Sequence, residues 1–299
     1  MPTLELDQLN KTFGAGDTAV RALTDMSFTV NTGEVYGFVG SNGAGKSTAM
    51  RIALGVLAAD SGEARVDGVP VNDDIRRRIG YMPEERGLYD KEGILDQLVF
   101  LGRLHGMTKQ AATASATALL EQLGLGERMV SKLQELSLGN QQRVQLAASL
   151  VHTPNILILD EPFSGLDPVA VNVMSDLLLQ KAKEGVPVLF SSHQLDLVQR
   201  LCDRVGIITH GQIRAEGTVD ELRNRGPVQY EVTTAARGWY PAGTTLIEDA
   251  GASVILDASD AGEGADQEIL HAALECGPVH GFIRRVPDLN DLFKEVVAA

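Results

Sequence analysis

The chain has 299 residues, room for about two domains at roughly 100–200 residues each. Its 44% apolar and 22% charged residues are ordinary for a folded core and argue against disorder, collagen or a coiled coil. Forty acidic residues against 26 basic ones leave a net charge of −14, which disfavours bare nucleic acid as a partner.

No apolar stretch approaches the ~18 residues of a membrane helix. The first ten residues, MPTLELDQLN, hold no basic segment followed by an apolar core, so no secretory signal is expected. Cys202 and Cys276 are too far apart in sequence for a metal-binding or redox pair. A reduced cytoplasmic location is expected.

Along the chain, Val35–Val39 is a short apolar run that stops at a glycine cluster, which predicts a strand, and Thr48–Leu57 follows with helical character. Residues 87–153, rich in Ala, Leu and Gln, read as a helical insertion. Spacing near 3.6 predicts helices over Leu95–Leu104, Lys109–Leu123 and Gln141–Val151. Ile156–Leu159 and Val188–Phe190 are continuous apolar runs, as suits strands covered on both faces. Residues 1–225 therefore predict an α/β domain with a largely parallel sheet.

At Arg225-Gly226-Pro227 the composition changes. Residues 226–299 hold 12 acidic and 4 basic residues, a net of −8, so a quarter of the length carries more than half the net charge. Strands are predicted over Val228–Thr234, Ser253–Leu256 and Gly281–Arg285, and helices over Asp266–Leu274 and Asn290–Val297, the last capped by its asparagine. This predicts a small α+β domain with no catalytic spacing. Its acidic surface is a solvated face or a partner-facing one, and its role is dimer support, regulation or structural trim.

The chemistry concentrates elsewhere. Gly40-Ser41-Asn42-Gly43-Ala44-Gly45-Lys46-Ser47 fits G-x-x-x-x-G-K-[ST] at a strand-to-helix junction. Its glycines let successive N–H groups turn towards phosphate oxygens, and the helix beginning there, at Ser47 and Thr48, adds a favourable dipole for an anion. Lys46 reaches the β- and γ-phosphates as a point charge, and Ser47 offers a hydroxyl to Mg²⁺.

The run Ile156–Leu159 ends in Asp160-Glu161, placing two carboxylates at the end of a buried strand where α/β folds bind ligands. Asp160 suits a Mg²⁺ shell; Glu161 suits a base that orients and deprotonates the attacking water. Leu136-Ser137-Leu138-Gly139-Asn140-Gln141-Gln142 precedes an amphipathic helix with apolar Val144, Ala147, Ala148 and Val151. Ser137 is placed as a helix cap, or the segment is a second phosphate-binding helix start that must meet a nucleotide. Sequence spacing leaves open whether it meets the phosphate loop of its own chain.

Together these motifs resemble the nucleotide-binding subunit of an ATP-binding cassette (ABC) transporter over essentially all of residues 1–225. Leu136–Asn140 with Gln141-Gln142-Arg143 resembles the family signature, Ser164-Gly165-Leu166-Asp167 its D-loop, and Phe190-Ser191-Ser192-His193 the strand ending in the switch histidine. Phe13 matches the aromatic residue that stacks on adenine. The resemblance implies a P-loop NTPase fold of the ABC ATPase type, with the helical insertion at about 87–153 and the small α+β domain at 226–299. It further implies ATP and Mg²⁺, and a head-to-tail dimer with each ATP between Lys46 of one copy and Ser137 and Gly139 of the other. His193 then contacts the γ-phosphate, and Asp167 works across the seam.

Two departures stand out. In Met82-Pro83-Glu84-Glu85-Arg86-Gly87-Leu88-Tyr89, Glu84 occupies the place where most members have a metal-sensing glutamine. A carboxylate still ligates Mg²⁺ but adds negative charge near the γ-phosphate unless metal or Arg86 offsets it. The signature also has Leu138 and Asn140 where glycine and glutamine are commoner.

The Glu84–Tyr89 variant and the appended tail, which ends in Pro287-Asp288-Leu289-Asn290-Asp291-Leu292-Phe293, are similar to bacterial export ATPases of the sodium-extrusion and drug-resistance type. That similarity implies a separate integral membrane permease on the inner face of the cell membrane, contacted by residues 87–104. The partner in the dimer is this chain or a paralogous ATPase subunit. The alternative is a soluble ABC ATPase acting on ribosomes or DNA, which would lead one to expect two cassettes, a coiled-coil insertion or basic arms.

Overall fold

The computed structural model describes residues 2–85, 87–224, 227–262, 264–285, 289, 290, 292 and 293, except the side chain of Asp17. Arg86 and the expected boundary at Arg225-Gly226 lie outside the described residues, as do parts of the closing segment 286–299. The chain divides into two compact units, Met1–Thr218 and Val219–Ala299.

The first unit holds two sheets. Leu4–Phe13 (β1) and Val20–Val30 (β2) pair antiparallel, and Ser61–Val66 (β4) and Val69–Pro70 (β5) extend them in the order β2-β1-β4-β5. Alternation accounts for this sheet: Leu4, Leu6, Leu9, Met26, Phe28 and Val30 are buried, while polar neighbours such as Asp7 and Thr29 face outward or lie half-buried. This antiparallel layer is a departure from the alternating strand and helix pattern expected for residues 1–225.

The second sheet runs β10-β9-β3-β8-β7-β6, built from Val35–Val39 (β3), Ile79–Met82 (β6), Ile156–Leu159 (β7), Val188–Ser192 (β8), Arg204–Thr209 (β9) and Gln212–Thr218 (β10). Every pairing is parallel except β9 with β10. All residues of β3, β7 and β8 are buried, as continuous apolar runs require. Because β8 lies between β3 and β7, the carboxyl ends of β3, β8, β7 and β6 form one row.

Lys46–Ala53 (α1) leaves β3 and begins two residues before the helix expected from Thr48. The insertion is helical: Ile94–Leu104 (α3), Lys109–Gln122 (α4) and Leu138–Leu150 (α5). Asp73–Arg76 (α2), Pro168–Lys183 (α6) and Leu195–Leu201 (α7) complete the unit's α-helices. Gln97, buried on α3, accepts from Tyr89 N–H at 2.7 Å and donates to the Tyr89 and Glu92 carbonyls, which fixes the approach to that helix.

In the second unit, Val219–Arg223 (α8) precedes a sheet ordered β12-β13-β11-β14: Gln229–Thr234 (β11), Thr245–Asp249 (β12), Ser253–Asp257 (β13) and Val279–Arg285 (β14). Ala265–Cys276 (α9) packs its buried Ala265, Ile269 and Ala273 against Tyr230, Val232, Val254 and Leu256. Trp239, buried in the same cluster, donates from its indole nitrogen to the Ala236 carbonyl at 2.9 Å. β12 has no sequence counterpart in the expectations above: all five of its residues are exposed, so it lacks the apolar alternation that marks the others.

Candidate functional site

The row of strand ends collects the chemistry. A cleft of about 390 Å³ is lined by Val20, Arg21, Ala22, Asn42, Gly43, Gly45, Lys46, Ser47, Thr48, Glu84, Asp160 and Glu161. Gly45, at φ 108, is the N-cap of α1 and brings no side chain, so the first-turn N–H groups of α1 stay open to an anion. Lys46 is buried and folds over the loop, its Nζ donating to the Gly40 carbonyl at 2.7 Å and the Ser41 carbonyl at 3.3 Å.

At the end of β7 the two carboxylates have different surroundings. Asp160 is buried; its Oδ1 accepts from the Ser191 hydroxyl at 2.6 Å and its N–H donates to the Met82 carbonyl at 2.8 Å. Glu161, also buried, has φ +49, in the left-handed region that non-glycine residues seldom occupy. Its Oε2 meets His193 Nδ1 at 2.9 Å, and its Oε1 lies 3.9 Å from Lys46 Nζ with no hydrogen-bond partner. The cleft thus contains one buried carboxylate oxygen with unused accepting capacity, beside a cation. Burial, and next the Asp160 carboxylate, push the nearby Tyr81 phenol up and keep it neutral.

Glu84 is exposed and lines the cleft with Ser47 and Asp160. Its loop is held from α5, where Gln145 donates to the Pro83 carbonyl at 2.6 Å and the Glu85 carbonyl at 3.3 Å. Gln142, one turn earlier, donates to the Pro162 carbonyl at 3.3 Å. Neither glutamine was assigned a role from sequence, because only the fold brings α5 beside both loops. Ser191, which with Ser192 ends the apolar run of β8, was likewise given no role of its own, although a polar side chain in a buried strand is a visible signal.

Other expected residues lie outside the cleft lining. Ser41 and Ala44 shape the loop through their main chains, Ala44 N–H donating to the Ser41 carbonyl at 3.1 Å. Phe13, 43% exposed, sits across from Val20 at the end of the β1–β2 pair, with Lys11 Nζ 5.7 Å from its ring centre. Ser137 and Gly139 open α5 away from this chain's cleft lining. Ser137 occupies the N-cap position, yet its side chain makes no cap bond, so the helix-cap alternative for this segment is not met. Asp167 does cap its helix, accepting from Ala170 N–H at 2.8 Å.

A phosphate loop on an uncapped helix, with a buried carboxylate pair at the neighbouring strand end, defines a P-loop nucleoside triphosphatase. The ABC transporter family model matches residues 23–164. The uncharacterized ABC transporter ATP-binding protein YhaQ of Bacillus subtilis is 35% identical over 99% of this chain and 99% of its own length. The Nod factor export ATP-binding protein I of Burkholderia lata is 33% identical over 98% of this chain and 97% of its own. A solved dimeric bacterial ABC transporter cassette shares the fold with a TM-score of 0.67 at 26% identity, covering 72% of this chain and 98% of that one. The chain belongs to the ABC transporter ATP-binding proteins. It is an ATP-binding subunit and an ATP hydrolase, and these comparisons do not favour the ribosome- or DNA-directed alternative. Among the described residues no helix is long and apolar enough to cross a membrane.

Proposed function

We propose that the chain works in a head-to-tail pair, with itself or a paralogous ATPase subunit, and drives export through a separate integral membrane permease on the inner face of the membrane. The observation that carries the hydrolytic part is the convergence of Lys46, Glu161 and His193, with Glu161 Oε1 buried beside Lys46 and without a hydrogen-bond partner. In this reading Lys46 balances the β- and γ-phosphates and Glu161 orients the attacking water and takes its proton. His193 holds the glutamate and meets the γ-phosphate. Phe13 stacks on the adenine, at the margin of the cleft.

Ser47, Asp160 and Glu84 fit Mg²⁺ as a donor set. Among the described residues no group of three or more His, Cys, Asp or Glu forms a closed metal cage. One hydroxyl and two carboxylates suit an ion that keeps waters and takes phosphate oxygens. When bound, Mg²⁺ supplies charge neutralisation at the phosphates.

The dimer is supported by Ser137 and Gly139, which start a helix with no side-chain cap and lie outside the chain's own cleft lining. Permease contact through residues 87–104 is supported by Tyr89, Phe100 and Leu104, which are 69, 54 and 66% exposed. Export as the direction is supported by the export role in the name of the Burkholderia relative.

The test is Glu161→Gln in the full chain. ATP affinity stays within about threefold of wild type while turnover falls by roughly 10²–10⁴; a variant that hydrolyses at the normal rate refutes the base assignment. The same variant loaded with ATP should recover a polytopic membrane protein from native membranes. Recovery of ribosomes instead refutes the transport reading.

A further inference from the structure

Ser191 is fully buried in β8, the strand between the phosphate-loop strand and the carboxylate strand. Its hydroxyl accepts from the Glu161 N–H at 2.8 Å and donates to Asp160 Oδ1 at 2.6 Å. The directions are fixed by chemistry: an amide N–H only donates and a carboxylate only accepts, so the single hydroxyl proton of Ser191 must point to Asp160.

Two consequences follow from that wiring. The Glu161 backbone, at φ +49, has its N–H met by a side chain, so a conformation rare for a non-glycine residue is held in place. Asp160 has one oxygen engaged, which leaves the other to the metal shell. Two residues further along the same strand end, His193 Nδ1 holds Glu161 Oε2 at 2.9 Å. β8 and the residue that follows it therefore hold the glutamate at both ends, main chain through Ser191 and carboxylate through His193.

We infer that Ser191 is a positioning residue for ATP hydrolysis, whose hydroxyl couples the main chain of Glu161 to the carboxylate of Asp160 and so sets the aim of both. It is too deeply buried to touch the nucleotide. This rests on the reading of Glu161 as the base.

The experiment compares Ser191→Ala, Ser191→Cys and Ser191→Thr with Glu161→Gln in the full chain, measuring kcat, KM and the Kd of a fluorescent ATP analogue with Mg²⁺. Ser191→Ala should lower kcat about ten- to a hundredfold, as loss of an orienting partner does, with the analogue's Kd within about threefold. Ser191→Thr keeps the hydroxyl and should recover most of kcat. Ser191→Cys keeps the volume with a weak donor and should behave as the alanine variant does; it stands in should that variant fail to fold.

A Ser191→Ala or Ser191→Cys kcat within about twofold of wild type, beside an inactive Glu161→Gln, overturns this proposal alone. So does a kcat loss matched by an equal loss of analogue affinity, which would mark a purely structural serine. Normal turnover by Glu161→Gln overturns the base reading itself, and this inference with it.

Discussion

Replacing Gly211 with alanine tests how the phosphate loop is supported. Gly211 lies in the turn between β9 and β10, its N–H donating to the Ala44 carbonyl and its carbonyl accepting from Thr24 N–H, both at 2.9 Å. Its φ is +74, and an added Cβ would lie 2.4 Å from the Ala22 carbonyl oxygen and 2.9 Å from Ala22 C and Leu23 Cα, all main-chain atoms. Ordinary contact begins at 3.4 Å, so about 1 Å of backbone movement is needed. The same Ala22 carbonyl oxygen lies 2.6 Å from where a Cβ on Gly45, the residue that opens α1, would stand, so it packs between two glycines.

Left-handed backbone costs an L-residue about 1–2 kcal/mol. The forced shift, with two weakened hydrogen bonds, adds roughly 1–3 kcal/mol. Gly68 provides the control: its φ is +75, but a Cβ there meets nothing within 4 Å, so Gly68→Ala carries the first cost alone. Urea unfolding of both variants isolates the steric part. A fluorescent ATP analogue should bind Gly211→Ala about five- to thirtyfold more weakly, the equivalent of 1–2 kcal/mol, and Gly68→Ala normally. If Gly211→Ala is as stable as Gly68→Ala and binds the analogue like wild type, the support assigned to this turn is wrong.

Gly139→Ala should raise the melting temperature slightly, since the added Cβ meets neighbours only at 3.6 Å or beyond and alanine improves a helix by up to ~1 kcal/mol. ATPase activity should nevertheless fall if a second copy's nucleotide approaches that glycine; full activity refutes the cross-dimer site. Gly206→Ala places a Cβ 2.3 Å from the hydroxyl of the buried Tyr36. It should therefore cost about 2–4 kcal/mol, and Tyr36→Phe should rescue much of the loss in a double-mutant cycle by urea unfolding. His152 has its pKa lowered from 6.5 to about 4, by burial first and by His105 second, the two rings stacking at 3.8 Å. A histidine depressed on folding binds its proton more readily when unfolded, so its contribution is complete above about pH 6.5 and fades as pH falls towards 4, by at most ~1.4 kcal/mol per pH unit. His152→Phe should flatten unfolding free energy across that window; an unchanged slope refutes the assignment.

Much of the site was legible because its chemistry is local. Six glycine-spaced residues before a lysine and a serine make a loop wherever they follow a strand, and Ile156–Leu159 can only be a buried strand that delivers Asp160 and Glu161 to its end. The insertion helices were legible from their 3.6-residue spacing, with ends displaced by at most three residues. What stayed hidden lay at long sequence separation: Ser191 with Asp160, Gln145 with the Glu84 loop, and Gly211 with the phosphate loop.

The sequence by itself determined the phosphate loop and the paired carboxylates after Leu159, since periodicity and motif spacing depend on neighbours along the chain. Tertiary structure alone decided that β8 lies between β3 and β7, and thus that Ser191 and His193 reach Glu161 while Lys46 faces it from the other side. It also decided that Phe13 stands exposed across from Val20 and that Ser137 leaves its helix without a side-chain cap. Strand order is set by how buried faces stack across the whole sheet, a sum over distant pairs that no local run of residues encodes.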